Sequence, residues 1–570
     1  MPVLKDFFKN LFIYQEQKKE YDFVLPISDT TIKTTKDDSI TSDIQISSDQ
    51  SIYDSIDKNL DFLKCSYNSM INSDIILREF HITVKGKSYK ALVVAIDGMV
   101  NSDSVNNFLL KSLMQGESKN TNNNISVKHK LNIKTVDKFN LEDYLYSLLI
   151  PQNSIQKVYN FSELISGVNS GSCSLIIDTL STAFVMDTKG FETRSVSPPI
   201  NESIIRGSQE GFTEKLRTNT SMLRRIINNE NLIIENTKVG KITKKQIAIC
   251  YIKGIVNPYL VSEVKYRLNN LDLDYIISSG QLEQLIEDNS SITVPEVIAT
   301  ERPDKTSHLL LEGRICVITD GTPYVLIMPA VLLDFLSSPE DMNLKHQYSN
   351  LLRTLRLFAC FITLLLPGIY IAITTYHAEL LPTELLFTIA ASRESVPFPV
   401  IFEILLMELS FELVREAGLR VPNPIGPTIG IVGALILGDA AVSASLVSPI
   451  LIIIVAITGI CSFAVTDFSF SFSLRIFRFL YILLGYILGF LGIAIGIFIH
   501  LSLLSNLKSF GVPYLSPYVP NTSNPRSSLS YFLHPIWKRE KRAEFLNTKR
   551  PILESKISMK WKFGKNSTND

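Results

Sequence analysis

The 570-residue chain carries little cysteine: Cys65, Cys173, Cys250, Cys316, Cys360 and Cys461 are widely spaced, without a C-x-x-C pair or a neighbouring histidine. That spacing excludes a disulfide framework and a cysteine zinc site, and leaves buried, reduced thiols in a cytoplasmic compartment as the expectation. Net charge is missing too, with 56 Lys+Arg against 56 Asp+Glu, so nothing in the balance favours a nucleic-acid partner. No P-loop, H-E-x-x-H or G-x-S-x-G motif occurs, and the seven histidines are scattered. No catalytic residue, cofactor or metal is therefore expected, and the chain does not read as an enzyme. The N-terminal MPVLKDFFKNLFIYQEQKKE breaks its apolar run with charges and lacks a signal-peptide core. The soluble part is accordingly expected to stay on the cytoplasmic side.

The composition is divided in two. Residues 1–58 form an N-terminal segment whose Ser/Asp/Thr-rich part (SDTTIKTTKDDSITSDIQISSDQ) reads as a flexible acidic linker. Residues 59–145 read as a small α/β module, with paired strands at Phe80–Val84 and Lys90–Ile96 and a helical VNNFLLKSLM. A second α/β module is expected over 146–345. In it, CSLIID (173–178) and TAFVMD (182–187) read as a strand pair and QIAICYI (246–252) as a buried strand. RICVITDGTPYVLIMPA (314–330) reads as a hairpin turning at DGTP. Residues 346–507 read as a transmembrane all-α domain, and 508–570 as a basic cytoplasmic tail.

Five spans stand out in the apolar half: Leu357–Tyr376, Val396–Val414, Pro427–Val447, Pro449–Val465 and Phe479–Ser505. Four to six are possible, because Leu380–Ser392 is too short to cross alone. Basic flanks at both ends place both on the cytoplasmic side, which needs an even number of crossings. The fold class is thus two-part, a cytoplasmic α/β region followed by a multi-pass helical membrane domain.

The stretch MELSFELVREAGLRVPNPIG (407–426) puts charge where hydrocarbon should reject it. Glu408, Glu412, Arg415 and Glu416 share about a third of a helix circumference. Gly418 suits a C-terminal cap, so Arg415 and Glu416 read as interfacial residues of the last turn. Glu403 and Glu408 lie deeper, and with Glu412 and Asp439 they are candidates for an ion path or for polar contacts between helices. Gly485, Gly489, Gly492 and Gly496, and the pair Gly426 and Gly430, form stripes suited to close helix packing.

Several segments in order resemble the A subunits of GerA-type spore germination receptors. They are NESIIRGSQEGFTEKLRTNTSMLRRII (201–227), ATERPDKTSHLLLEGRICVITDGTPYVLIMPA (299–330), SSPED (337–341), the long run 365–426 and SFGVPYLSPYVP (509–520). The resemblance implies a germinant receptor subunit in the spore inner membrane, working with a transporter-like B subunit and a C-subunit lipoprotein. It also implies oligomerisation around a ligand-gated cation pathway within membrane lipid. The alternative is a non-conducting signalling or scaffold subunit that relays germinant binding by the B subunit.

Overall fold

The computed structural model describes residues 22–27, 50–84, 87–110, 155–190, 204–420, 438–521 and 530–553, with isolated positions at Leu113, Glu142, Pro199 and Glu202. The described N-terminal part holds two five-stranded antiparallel sheets. Helix α1 (Ile56–Ser66) leads into a hairpin of β1 (Ile75–Val84) and β2 (Lys87–Ile96), followed by β3 (Ile155–Val158), helix α2 (Phe161–Asn169), β4 (Cys173–Ile177) and β5 (Ala183–Met186). These strands lie in the order β1-β2-β4-β5-β3. Alternation sorts their side chains: Leu92, Val94 and Ile96 pack under α1 and α2, while Ala91, Val93 and Ala95 face Val105 and Leu110.

After helix α3 (Leu216–Ile226) the same plan repeats. Strands β6 (Leu232–Val239) and β7 (Lys245–Ile252) precede helices α4 (Pro258–Asn269) and α5 (Ser279–Ile286), β8 (Ile298–Thr300), helix α6 (Pro303–Leu311), β9 (Ile315–Thr319) and β10 (Val325–Met328). The order is β6-β7-β9-β10-β8, the first sheet's order shifted by five. A short sequence signature accompanies the repeat, I-x-G-x-V-N at Ile96–Asn101 and again at Ile252–Asn257. In both copies the glycine takes a positive φ, +83° at Gly98 and +85° at Gly254, and the asparagine caps the helical turn after it. Asn101 accepts from Asp103 N at 3.0 Å and Asn257 from Tyr259 N at 3.0 Å. The strand pair at 173–178 and 182–187 therefore completes the first sheet, because β4 hydrogen-bonds to β2. The expected boundary at 145/146 falls inside that sheet, since a long stretch separates β2 from the strands it pairs with. Arg224 joins the two modules, its guanidinium buried against Asp74 at 2.8 and 2.9 Å and Asn72 at 3.0 Å.

One face of the second sheet, through Ala248, Cys250 and Ile252, runs on into the helical half without a break in the core. Helix α7 (His346–Tyr376) leaves from a buried Asp341 that holds Arg353 at 3.0 Å and Arg356 at 2.7 Å. Helices α8 (Thr383–Arg393), α9 (Val400–Arg420), α10 (Pro449–Phe463) and α11 (Phe468–Asn506) come next. Among the described residues, α7 and α11 are long and apolar enough to cross a membrane, and α10 is a shorter apolar helix. Helix α9 runs through Gly418 to Arg420, so Gly418 is not its cap. Residues 508–521 and 530–553 pack on the second module: Ser509 Oγ reaches Glu296 O at 2.6 Å and Arg542 Nε reaches Leu311 O at 2.8 Å. These parts of the expected tail are docked, because Ser509 and Arg542 find backbone carbonyls of the module to bind.

Helix α11 is not one rod. Gly489 has φ +59° and ψ −138°, a conformation open to glycine and costly for any other residue. The chain reverses there, giving arms Phe468–Leu488 and Phe490–Asn506. Phe477 and His500 would stand about 34 Å apart on a straight helix. Their rings stack at a centroid distance of 4.4 Å, and Tyr481 Oη lies 3.3 Å from His500 Nδ1. The apolar run expected as one span, Phe479–Ser505, is thus two antiparallel pieces, because one glycine turns it while the composition stays uniform.

Candidate functional site: a charged seam inside the helical bundle

Helix α9 presents Glu408, Glu412 and Arg415 at i, i+4 and i+7, one above another on a single face. The first arm of α11 answers with Arg475 and Arg478, three residues apart. Arg478 Nη2 lies 2.8 Å from Glu408 Oε2 and 2.9 Å from Glu412 Oε1. Arg475 Nη1 lies 2.7 Å from Glu412 Oε2, and Arg415 Nη1 is 3.6 Å from Glu412 Oε1. Glu408 and Arg478 are fully buried, halfway along both elements. Buried charges persist only with partners, and here three guanidiniums meet two carboxylates. Aromatic rings cover the rest: Arg415 sits over Phe463 at 4.7 Å and Phe411 at 5.1 Å, Arg475 over Phe472 at 5.0 Å.

Glu403, at the opposite end of α9, is also buried. Arg393 of α8 approaches it to 3.3 Å, and the amide of Ser448, the cap of α10, donates to it at 3.2 Å. Asp439 is exposed. Arg415 is not in a wet last turn. Its side chain is largely buried and donates to Ser462 Oγ at 2.8 Å, while Glu416 is exposed. The glycines divide as well. A Cβ on Gly485 would stand 2.6 Å from Gly368 O, so α7 and α11 cross there backbone to backbone. Gly489 is the reversal, and Gly492 and Gly496 face Leu484 and Tyr481 of the opposite arm. Gly426 and Gly430 lie outside the described residues.

Arg475 and Arg478 are the residues that sequence reasoning missed. They sit in SFSLRIFRF immediately before Phe479, where the uncharged run begins. Their spacing of three, beside carboxylates spaced by four, was the available signal.

The seam opens at its Arg415 end into a cleft of about 680 Å3 between the second module and the helices. Glu202, Glu283 and Lys305 line it from the module, and Arg415, Asp467 and Arg475 from the helices. Lys305 Nζ pairs with Glu202 at 3.0 Å, and Asp467 caps α11 by accepting from Phe470 N at 2.9 Å. Burial and the neighbouring Asp467 carboxylate push the Glu283 carboxyl up to about 7. No group of three or more His, Cys, Asp or Glu among the described residues is placed to hold a metal ion.

Residues 61–545 match the family model described as Bacillus/Clostridium GerA spore germination protein. Spore germination protein KA of Bacillus subtilis (strain 168) is 39% identical over 485 residues, covering 85% of this chain and 86% of that protein. Spore germination protein A1 of the same organism is 40% identical over 395 residues, covering 69% of this chain and 82% of that one. The crystal structure of the N-terminal domain of the A subunit of the Bacillus megaterium spore germinant receptor GerK3 aligns at 32% identity and a TM-score of 0.36. It spans 50% of this chain and 98% of that domain. The chain belongs to the GerA family of spore germination proteins, among its A-type members.

Proposed function

We propose that the chain is a membrane subunit of a nutrient germinant receptor, assembling with B and C subunits and with further copies of itself into a ligand-gated cation pathway. The observation that carries this reading is the charged seam: buried ion pairs join α9 to α11 at mid-length inside helices whose outer faces expose Phe402, Leu409, Leu413, Ile453 and Leu491. Helix α7 starts against the second module and ends beside Gly489, while α9 runs from Glu403 back to Arg415 beside the cleft. Among the described residues, Arg420 at the end of α9 and Ser448 at the start of α10 lie at opposite ends of the bundle. Residues 530–553 pack on the second module, so in this reading both lie on the cytoplasmic face of the spore inner membrane.

In this reading Glu403, Glu408 and Glu412 hold helices together through arginines, and Asp439 is the acidic group left facing outward to a path or a neighbouring copy. The test is cation release from germinating spores that carry Asp439→Asn at unchanged receptor abundance. Slowed release with normal assembly supports the reading, and unchanged release removes Asp439 from the path. A non-conducting relay subunit is the competing function. Reconstitution with the B subunit in planar bilayers separates the two, because a relay passes no current.

A further inference from the structure

The hexapeptide Asp22–Ile27 lies on the second module, far in sequence from everything it touches. Its exposure alternates as in an extended segment: Leu25 is 6% exposed and Phe23 half-buried, whereas Asp22, Val24 and Pro26 are exposed. Pro26 favours that form, since a residue before proline is kept out of the helical region. Leu25 belongs to the same core as Phe510, Val512, Phe545 and Leu546, and Phe23 packs against that core. Leu25 N donates to Gly511 O at 3.4 Å, Asn547 Nδ2 to Leu25 O at 3.4 Å and Asn257 Nδ2 to Pro26 O at 2.9 Å. Asp22 meets Lys508, just past the end of α11, at 3.3 Å.

The receiving surface is shaped for this peptide. Gly511 has φ +77°, and a Cβ on it would stand 2.6 Å from Leu25 N and 2.7 Å from Phe23 Cδ1. The duplicated module shows what is added at Asn257. Its counterpart Asn101 caps a helical turn while exposed to solvent. Asn257 caps α4 in the same way through Oδ1 but is fully buried, and its Nδ2 also donates to Asn547 O at 3.2 Å. Capping requires neither that burial nor the two donations; they come from holding the N-terminal peptide and the C-terminal segment together.

We propose that Asn257, Gly511 and Asn547 form a site for an extended Phe-x-Leu-Pro peptide. Its occupant is Asp22–Ile27 of the same molecule, a strap that fastens residues 543–549 and the end of α11 to the second module. The contact is small, one buried leucine with hydrogen bonds on either side, so it depends on tethering, which supplies an effective concentration of about millimolar. The chain is next described from Gln50, whose carbonyl accepts from Phe161 N at 3.0 Å in the first module, so the strap is tied to both modules.

The full chain in mild detergent provides the test, read as tryptic cleavage at Lys541 and Lys549. Leu25→Asp is expected to raise that rate at least about tenfold while cleavage within the α/β modules stays unchanged. Asn257→Asp keeps an oxygen to cap α4 and loses both donations, and the same increase is expected. The double variant should be no faster than either single one, because both open one contact. A synthetic DFVLPI peptide is expected to restore slow cleavage in Leu25→Asp and to leave Asn257→Asp and the native chain unaffected. A native rate in Leu25→Asp, or a raised rate that the peptide does not lower, overturns the proposal. So does native protection that falls on dilution, which would place the segment of a second copy in the groove. Should a variant fold poorly, hydrogen exchange of the native chain in mild urea decides: protection of 22–27 and 543–549 lost in step supports the strap, and loss of one with the other intact overturns it.

Discussion

Replacing Arg478 with glutamine tests the charged seam at its most demanding point. Arg478 bridges Glu408 at 2.8 Å and Glu412 at 2.9 Å. Without it, Glu412 keeps Arg475 at 2.7 Å and Arg415 at 3.6 Å, whereas Glu408 has no other ion-pair partner among the described residues. The substitution thus strands one fully buried carboxylate. Breaking a buried pair by removing one partner costs about 3–5 kcal/mol. At roughly 2–4 °C per kcal/mol for a cooperative unit of 150–250 residues, the helical half should melt about 10 °C lower. Scanning fluorimetry of the detergent-solubilised chain measures that shift. Neutralising the orphan as well, in Glu408→Gln with Arg478→Gln, should recover most of the loss, because the desolvated charge and not the missing contact dominates. If Arg478→Gln melts like the native chain, or the double variant melts no higher than the single one, the seam does not clamp these helices.

Four further outcomes follow from the packing. Gly485→Val should separate α7 from α11, since its Cβ meets Gly368 O at 2.6 Å, and should lower receptor abundance in membranes. Gly489→Ala, strained at φ +59°, should abolish oxidative cross-linking between cysteines placed at Phe477 and His500, which is expected with Gly489 in place. Arg224→Ala should uncouple the two modules and increase proteolysis between them, because Asp74 is left buried and unpaired. Glu283 titrates near 7 in the fold against an ordinary 4.5, so the folded chain binds more protons across that window. The Glu283 contribution should therefore fall as pH rises from about 4.5 to about 7, and Glu283→Gln should make this part of the profile less steep, with Glu287 and Glu296, pushed up by burial to about 7 and about 8, supplying the rest of the slope.

Much of the fold was legible from periodicity. Hairpins at 75–96 and 315–328 show alternating or continuous β-branched runs, and Leu357–Tyr376 of α7 is an uninterrupted uncharged segment. The depth of Glu403 and Glu408 could be counted along a helix, which marked them as costly before any partner was visible. Their partners were not legible, because ion pairing depends on which helix packs against which, and Arg475 and Arg478 lie just outside the run that hydropathy selects. The reversal at Gly489 was hidden for a related reason: one glycine among four alters the backbone path without altering composition. The duplication of the α/β modules was written in the I-x-G-x-V-N repeat, but six residues carry little weight until two sheets with the same strand order give them meaning.

The reversal at Gly489 also bears on how force could be transmitted. Both arms of α11 end at the second module, one through Thr466 on Phe335 and the other through Ser509 on Glu296, so the hairpin is anchored at its two feet. A small rotation of the module would move the feet against each other and appear at the tip as a bend about one residue's dihedrals. The tip rests on Tyr376 and His377, at the end of α7. The helix pair thus has the layout of a tuning fork held at the wrong end, with its feet on the second module and its tip at the far end of α7.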